Sequence, residues 1–153
     1  VTGPLDFEHT ELRRSALSEC ARRYGAPAPL SVATDYSAEQ SAEATHSLLA
    51  GGDRPTAIVY DNDVLALAGL RVAQELGVSI PGDVSVASFD DSIAMRLVRP
   101  SITALTRDTY ALGELAARTL MDVIGSDGPV ASVAAAPPAL SARESTGPAK
   151  TSS

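Results

Sequence analysis

This sequence of 153 residues contains almost no cysteine and almost no lysine. Cys20 is the only cysteine, so no internal disulfide can form, which is compatible with a reducing compartment. Lys150 is the only lysine and lies in a tail rich in proline, serine and threonine, which excludes chemistry that needs a lysine in the core. No apolar run approaches the roughly 20 residues that span a bilayer, and the first residues have neither the basic start nor the apolar stretch of a signal peptide.

Basic charge and catalytic motifs are also scarce. The 12 lysines and arginines face 19 aspartates and glutamates, and the formal net charge of −7 opposes binding of this chain to nucleic-acid phosphates. The motifs G-x-x-x-x-G-K-[ST], G-x-G-x-x-G and G-x-S-x-G do not occur. His9 and His46 each stand without a cysteine or a second histidine at ligand spacing. We therefore expect neither an enzyme nor a cofactor or metal site, although paired acids after strands also occur in phosphoryl-transfer and hydrolase folds.

The chain alternates short apolar runs with longer helical periods, which is typical of βαβ units around a parallel sheet. An apolar content of 44% with 20% charged residues fits one globular domain with a real core. The expected strands are 1–2, 30–33, 57–60 and 84–88, with a weak pair around 130–135 and 140–144. Residues 101–105 are expected to form a strand or a crossover. The expected helices are 9–24, 38–50, 63–76 and 109–124, with a short apolar segment at 92–98.

Polar or turn-forming residues follow the ends of four expected strands. Parallel strands joined by right-handed crossovers place their carboxyl ends at one edge of the sheet, where ligands of open α/β folds bind. Each cluster has a simpler explanation, because Asp and Asn are favoured at helix starts for backbone reasons alone. Four clusters at one edge nevertheless favour a binding site. The clusters are Gly3 with Pro4, Asp35 with Tyr36, residues 61–63, and Asp90 with Asp91.

The segment RPTAIVYDNDVLALAGLRVAQELGVSIPGDVSVASFDDS, followed by PSITAL and later by ARESTGP, resembles the effector-binding core of lac-repressor-type (LacI/GalR) transcriptional regulators. The resemblance covers nearly the whole chain. It implies an α/β fold of the periplasmic-binding-protein-like I type, with parallel sheets flanked by helices in two lobes. A small-molecule effector, a sugar or a related polyol or nucleobase, would bind between the lobes and change the grip of a homodimer on operator DNA.

The resemblance also implies a division of the chain. Residues 1–105 would form the C-terminal lobe, 106–128 a helix of the first lobe, 129–147 a crossover and return strand to the C-terminal lobe, and 148–153 a disordered tail. The helix-turn-helix headpiece and most of the first lobe would lie outside this chain, so operator DNA would be a partner only through the missing headpiece. A cytoplasmic location without a membrane partner follows from the same resemblance.

Carried over position by position, the resemblance points to Arg13, Tyr36, Asn62, Asp90 and Arg107 as ligand-binding residues. The planar guanidinium of Arg13 would donate paired hydrogen bonds, and the ring of Tyr36 would stack on an apolar ligand face. The amide of Asn62 would donate and accept, and the ionised Asp90 would accept hydroxyl protons. The position of Arg107 is often Gln in the family, which leaves its role open.

Three other positions qualify the resemblance. Asp91 is expected to be structural. Ser88 stands where the family usually has Gly, so backbone packing behind the site is expected to differ. Asp61 stands where the family usually has a small residue; its carboxylate would either favour an amino sugar or another cationic ligand, or point to solvent.

Alternative interpretations stay open at this point. A secreted sugar-binding protein of a transport system shares the fold, although FDD followed by SIT and the later ARESTG favour a regulator. A truncated interaction domain or a nonfunctional fragment is a third possibility. For a regulator, we expect the homodimer to use the helix after Ser37, the helix at 64–76 and the apolar stretch at 93–98. The alternative is that the stretch at 93–98 covers the sheet of its own lobe. We also expect the helix at 109–124 either to pack against another copy of the chain or to make few contacts with residues 1–100, because the resemblance places its apolar stripe against the first lobe.

Overall fold

The computed structural model describes residues 1–126 and 128–148. The helices are α1 (Glu8–Arg23), α2 (Ala38–Ala50), α3 (Asp63–Glu75), α4 (Ile93–Leu97) and α5 (Thr109–Gly125). The strands are β1 (Ala57–Tyr60), β2 (Ser85–Ser88), β3 (Thr103–Thr106) and β4 (Ala139–Ser141). Apart from Pro148, the tail expected at 148–153 lies outside the described residues. None of the described helices has the length and apolar character needed to cross a membrane.

The four strands form one mixed sheet in the order β1-β2-β3-β4. The β1–β2 and β2–β3 pairs are parallel, and β4 pairs antiparallel with β3. The expected α/β fold with a mostly parallel sheet flanked by helices is therefore confirmed. The start of the chain lies beside β1, where the amide of Asp61 donates to the carbonyl of Val1. A parallel bridge then joins Thr2 to Ala33.

Two strand expectations differ from the structure. Strands were expected at 1–2 and 30–33, and the structure has only that single parallel bridge between these two segments. The expected strand at 130–135 is wrong, because this segment has no strand pairing and residues 131–135 are exposed. A strand is stable only when a neighbour accepts its hydrogen bonds and one face is buried, and alternating small residues do not supply either condition.

Local signals explain the helix ends. The Ser37 hydroxyl accepts from the amide of Gln40 at 3.2 Å and begins α2, while the Asn62 side chain accepts from the amide of Leu65 at 2.9 Å and begins α3. Gly25 and Gly77 follow α1 and α3, each with φ of +67°, a left-handed conformation that glycine adopts without a Cβ penalty.

The core lies where α3 packs on β1 and β2 and where α2 packs against α3. Tyr60 is its largest fully buried side chain, and its hydroxyl lies 2.9 Å from that of Thr45 on α2. Burial raises the pKa of Tyr60 to about 12. A Cβ placed on Gly69 would lie 2.0 Å from the Tyr60 hydroxyl oxygen, so α3 can approach β1 this closely only without a side chain there.

Helices α1 and α5 have apolar residues at helical spacing but do not contribute them to this core. The apolar stripe of α1, which consists of Leu12, Ala16, Leu17 and Cys20, is exposed, and the buried residue of that helix is Thr10. No residue of α5 is buried, and Leu120 is 58% exposed. The sparse packing of α5 agrees with the expectation that its stripe does not face residues 1–100.

Candidate functional site

The polar clusters that follow the first three strand segments contact one another. The amide of Gly3 donates to Oδ2 of Asp61 at 2.9 Å. The ring of Tyr36 lies against Gly3 so closely that a Cβ there would be 1.9 Å from the Tyr36 Cζ. Tyr36 has φ of +69°, a conformation that is uncommon for residues with a side chain and that persists only where the surroundings hold it. The clusters therefore converge at the carboxyl edge of the sheet, as the alternation of strands and helices predicts.

Asp61 is the buried centre of this edge. The residue is 4% exposed. Its Oδ1 lies 3.3 Å from Nη1 of Arg13, and its backbone carbonyl accepts from the same nitrogen at 3.2 Å. The hydroxyl of Thr10 donates to Oδ2 at 3.5 Å. The expectation that Asp61 either points to solvent or receives a cationic ligand is wrong, because an arginine of this chain already occupies the carboxylate.

Arg13 also connects this edge to the end of β2. Its Cζ lies 4.4 Å from the ring centroid of Phe89, within the range of a cation–π contact. The backbone amide of Phe89 donates to the carbonyl of Tyr60 at 3.0 Å, which holds the ring beside β1. Among the described residues, Nε and Nη2 of Arg13 have no hydrogen-bond partner. Phe89 was not among the residues predicted from the sequence, although it is the first residue of the FDD motif.

An aromatic group lines the edge beside Tyr36. Nε2 of His9 lies 2.7 Å from the hydroxyl of Tyr36, and the ring of Phe7 stacks with that of Tyr36 at a centroid distance of 6.2 Å. Phe7 and His9 are exposed and come from the start of α1. Neither residue is predicted from the sequence, because no local pattern pairs His9 with a tyrosine 27 residues later.

The remaining predicted residues have different surroundings. Asn62 is half-buried and uses Oδ1 to cap α3, while its Nδ2 has no partner among the described residues. Asp90 is exposed, and its backbone amide donates to the buried hydroxyl of Ser88 at 3.2 Å. Asn62 and Asp90 directly follow Asp61 and Phe89, which places both at the same edge. Arg107 is exposed beyond β3, and no hydrogen bond or ion pair in the described part of the chain joins it to the other four predicted residues.

Asp91 lies behind this edge in a network of charged and hydroxyl groups. Its side chain is 3% exposed, and its Oδ2 accepts from Arg143 at 2.7 Å, from Thr106 at 2.6 Å and from Arg96 at 3.1 Å. The Thr106 hydroxyl also lies 2.6 Å from that of Ser141 on β4. The hydrogen bond from Arg143, supported by those from Thr106 and Arg96, holds the pKa of Asp91 at about 2 against the opposing effect of burial. Asp91 therefore joins β2, α4, β3 and β4, which is the structural role expected for it.

The edge presents hydrogen-bond donors, acceptors and aromatic faces. The donors are the unpaired side of Arg13 and the amide nitrogen of Asn62, and the acceptor is the exposed carboxylate of Asp90. Within the described ranges, no group of three His, Cys, Asp or Glu side chains is placed to hold a metal ion. A few convergent polar groups beside aromatic rings can orient a small ligand that combines hydroxyl groups with an apolar face.

Residues 1–146 match the family described as the periplasmic binding protein-like domain. Over 86 residues, which are 56% of this chain, the sequence is 40% identical to the HTH-type transcriptional regulator MalR of Streptomyces coelicolor. The matched segment covers 25% of that regulator. This chain is thus similar to one part of a considerably longer regulatory protein.

Solved structures show the same similarity. A LacI family transcriptional regulator from Bifidobacterium animalis subsp. lactis superposes with a TM-score of 0.91 at 42% identity, over 97% of this chain and 54% of that one. The transcriptional regulator CelR in its complex with cellobiose superposes with a TM-score of 0.84 at 26% identity, over 95% of this chain and 45% of that one. The chain spans about half the length of these structures.

Proposed function

This chain belongs to the LacI/GalR family of transcriptional regulators, as part of their effector-binding core, and we propose that it binds a sugar-like effector at the carboxyl edge of its sheet. The observation that carries the proposal is the convergence of Arg13, Tyr36, Asn62 and Asp90 at that edge. The relatives are transcriptional regulators, so no observation favours the transport-protein alternative or an enzyme.

Each of these side chains has an unused group with a suitable role. The Nε and Nη2 atoms of Arg13 would donate to neighbouring hydroxyl groups, and Nδ2 of Asn62 would donate to another. The carboxylate of Asp90 would accept hydroxyl protons in charge-assisted bonds. The ring of Tyr36 would cover an apolar face of the effector. That CelR was solved with cellobiose supports a carbohydrate as the class of effector.

The remainder of the site would come from the first lobe. We assign residues 1–105 to the C-terminal lobe, 106–128 to a helix of the first lobe and 129–147 to the return into the C-terminal lobe. The absence of any buried residue in α5 supports this division, because an amphipathic helix needs a partner surface to bury its stripe. Closure of the lobes on the effector would change the affinity of a cytoplasmic homodimer for operator DNA, which the headpiece would bind.

The homodimer would form through α2, α3 and α4. A shallow depression of about 430 Å³ lies between α2 and α3, away from the polar edge, and is lined mainly by small and charged residues. Ile93 and Leu97 on α4 are exposed, whereas Met95 between them is fully buried in the core. Exposed apolar residues of this kind mark interfaces. Light scattering should give the mass of two chains for the wild type and of one chain for a double variant Ile93→Glu, Leu97→Glu.

Ligand-observed NMR titration tests effector binding, since it detects the millimolar affinities expected when one lobe supplies only part of the site. We expect at least one neutral sugar from a panel of glucose, galactose, maltose and cellobiose to bind. Asp90→Asn should weaken that binding about 10- to 150-fold, because a hydrogen bond to a charged group contributes about 1.5–3 kcal/mol. Asp53→Asn, which removes an exposed charge elsewhere, serves as the control. Equal binding by wild type and Asp90→Asn contradicts the assignment.

A further inference from the structure

Asp61 lies in the site, but it is not among the proposed ligand-binding residues, and the residue that caps α3 is Asn62. We propose that Asp61 is a positioning and specificity residue: it fixes the guanidinium of Arg13 against Phe89 and neutralises its charge, so that the edge selects an uncharged, hydroxyl-rich ligand over one carrying a carboxylate or phosphate. The specificity part of this inference rests on the proposed function of the same edge.

The geometry around Arg13 leaves one side of the guanidinium for a ligand. Nη1 is engaged by both the carboxylate and the backbone carbonyl of Asp61, at 3.3 and 3.2 Å. The face of the group lies over Phe89 at 4.4 Å. These contacts fix the plane of the guanidinium and leave Nε and Nη2 unpaired among the described residues. Two parallel donors in a fixed plane suit neighbouring hydroxyl oxygens, and a flexible arginine would lose conformational entropy on making the same bonds.

The carboxylate of Asp61 is itself held in place. Its side chain is 3% exposed, and Oδ2 accepts from the amide of Gly3 at 2.9 Å and from the hydroxyl of Thr10 at 3.5 Å. The ring of Tyr36 packs against Gly3 and leaves no room for a side chain at that position. The ion pair with Arg13 is therefore partly buried and supported by further hydrogen bonds. An exposed ion pair would contribute little to the free energy of folding.

The charges at the edge determine which ligand it accepts. Asp61 cancels the charge of Arg13, and the exposed carboxylate of Asp90 remains. His9 contacts the Tyr36 hydroxyl, and Arg14 pairs with Glu11 on the outer side of α1. An anionic ligand would therefore find hydrogen-bond donors without a net attractive charge, and the carboxylate of Asp90 would repel it. A neutral polyol would use the same donors without that repulsion.

The variant Asp61→Asn tests both parts of the inference. Its side-chain oxygen can still accept from the amide of Gly3, but its NH2 group would face Nη1 of Arg13 and release the guanidinium. Asp63→Asn is the matched control, because it removes the same charge two residues away, where Asp63 accepts from the amide of Val64. Arg13→Lys is a second variant at a partly exposed position, which keeps the charge and loses the planar pair of donors.

The first readout needs no ligand. In ¹H–¹⁵N spectra of the arginine side chains, the Nε–Hε group of Arg13 should show restricted motion in the wild type and in Asp63→Asn. In Asp61→Asn it should move like the exposed arginines of the chain. A mobile Arg13 in the wild type, or an equally restricted one in Asp61→Asn, overturns the positioning role.

The second readout is the ratio of affinities for matched probes, glucose against glucuronate and galactose against galacturonate. We expect the wild type and Asp63→Asn to bind the neutral sugar at least about 10-fold more tightly, and Asp61→Asn to lose most of that preference. Arg13→Lys should bind neither probe of a pair well. A wild type that prefers the acid, or a preference unchanged in Asp61→Asn, overturns the specificity role. If no probe binds while Asp61→Asn releases Arg13, the positioning role stands, and the specificity role and the proposed function both fall.

Discussion

Replacement of Asp91 by asparagine should destabilise the fold strongly, although the two side chains have nearly the same size. Oδ2 of Asp91 accepts from Arg143, Thr106 and Arg96, and an asparagine would offer an uncharged acceptor oxygen in its place. The side chain of Arg143 is 16% exposed and would lose its counter-charge. Removal of one partner from a buried ion pair costs about 3–5 kcal/mol. Arg96 is half-exposed, and Oδ1 of Asp91 has no hydrogen-bond partner among the described residues. We therefore expect a loss near the lower end of this range.

The pKa of Asp91 gives a second route to the magnitude. A pKa of about 2 in the folded protein, against the ordinary 3.8, corresponds to about 2 kcal/mol of folding free energy. Because the pKa is lowered on folding, this contribution is fully present above about pH 4 and is lost as the pH falls through about 2. The wild type should therefore lose this contribution between about pH 4 and pH 2, and Asp91→Asn should lack this part of the loss.

Urea unfolding of both proteins at pH 7, 5, 4, 3 and 2.5 measures the effect. The neighbouring variant Asp90→Asn is the matched control, because Asp90 is exposed and should change stability by less than about 0.5 kcal/mol. Other carboxylates also titrate in this range, but they cancel in the difference between wild type and variant. Equal stabilities of Asp90→Asn and Asp91→Asn at pH 7, or a difference between wild type and Asp91→Asn that does not shrink on acidification, would refute the reasoning.

Three further substitutions test other parts of the fold. Gly69→Ala should lower the free energy of unfolding by about 1–3 kcal/mol, because its Cβ would overlap Tyr60. Gly113→Ala on α5, where a Cβ meets nothing within 4 Å, should be neutral or stabilising by up to about 1 kcal/mol. Urea unfolding measures both. Leu120→Glu should change the free energy of unfolding by less than about 0.5 kcal/mol, since that side chain is exposed, and a larger loss would show that α5 packs on this chain. Asn62→Ala should lower the thermal midpoint by removing a cap worth about 1 kcal/mol, whereas Asn62→Asp should retain the cap and most of the stability.

The features that depend on neighbouring residues were predictable from the sequence. The Ser37 and Asn62 caps, together with Gly25 and Gly77, place the helix ends within one or two residues of the observed ends. The apolar run at 57–60 became β1 with the predicted bounds. Caps, turns and periodicity act over a few residues, so one sequence contains all the information that they need.

The features that depend on distant partners were not predictable. The pairing of Asp61 with Arg13 joins residues 48 apart in the chain, and the sequence alone left Asp61 open to solvent or to a cationic ligand. The strand expected at 130–135 needed a neighbour that the fold does not provide. The stripe of α1 followed the right period but faces no surface of the described chain that buries it. Periodicity predicts which side of an element is apolar and does not identify the surface that covers it.

We propose that the carboxyl edge of the sheet binds a sugar-like effector. The most direct test is a ¹H–¹⁵N titration of the chain with the tightest-binding sugar of the neutral panel, followed at the backbone amides. We predict saturable shifts at Gly3, Tyr36, Asn62 and Asp90, with residues of the α2–α3 depression unchanged. Shifts confined to that depression, or no saturable shift at the edge with any sugar of the panel, would contradict the claim.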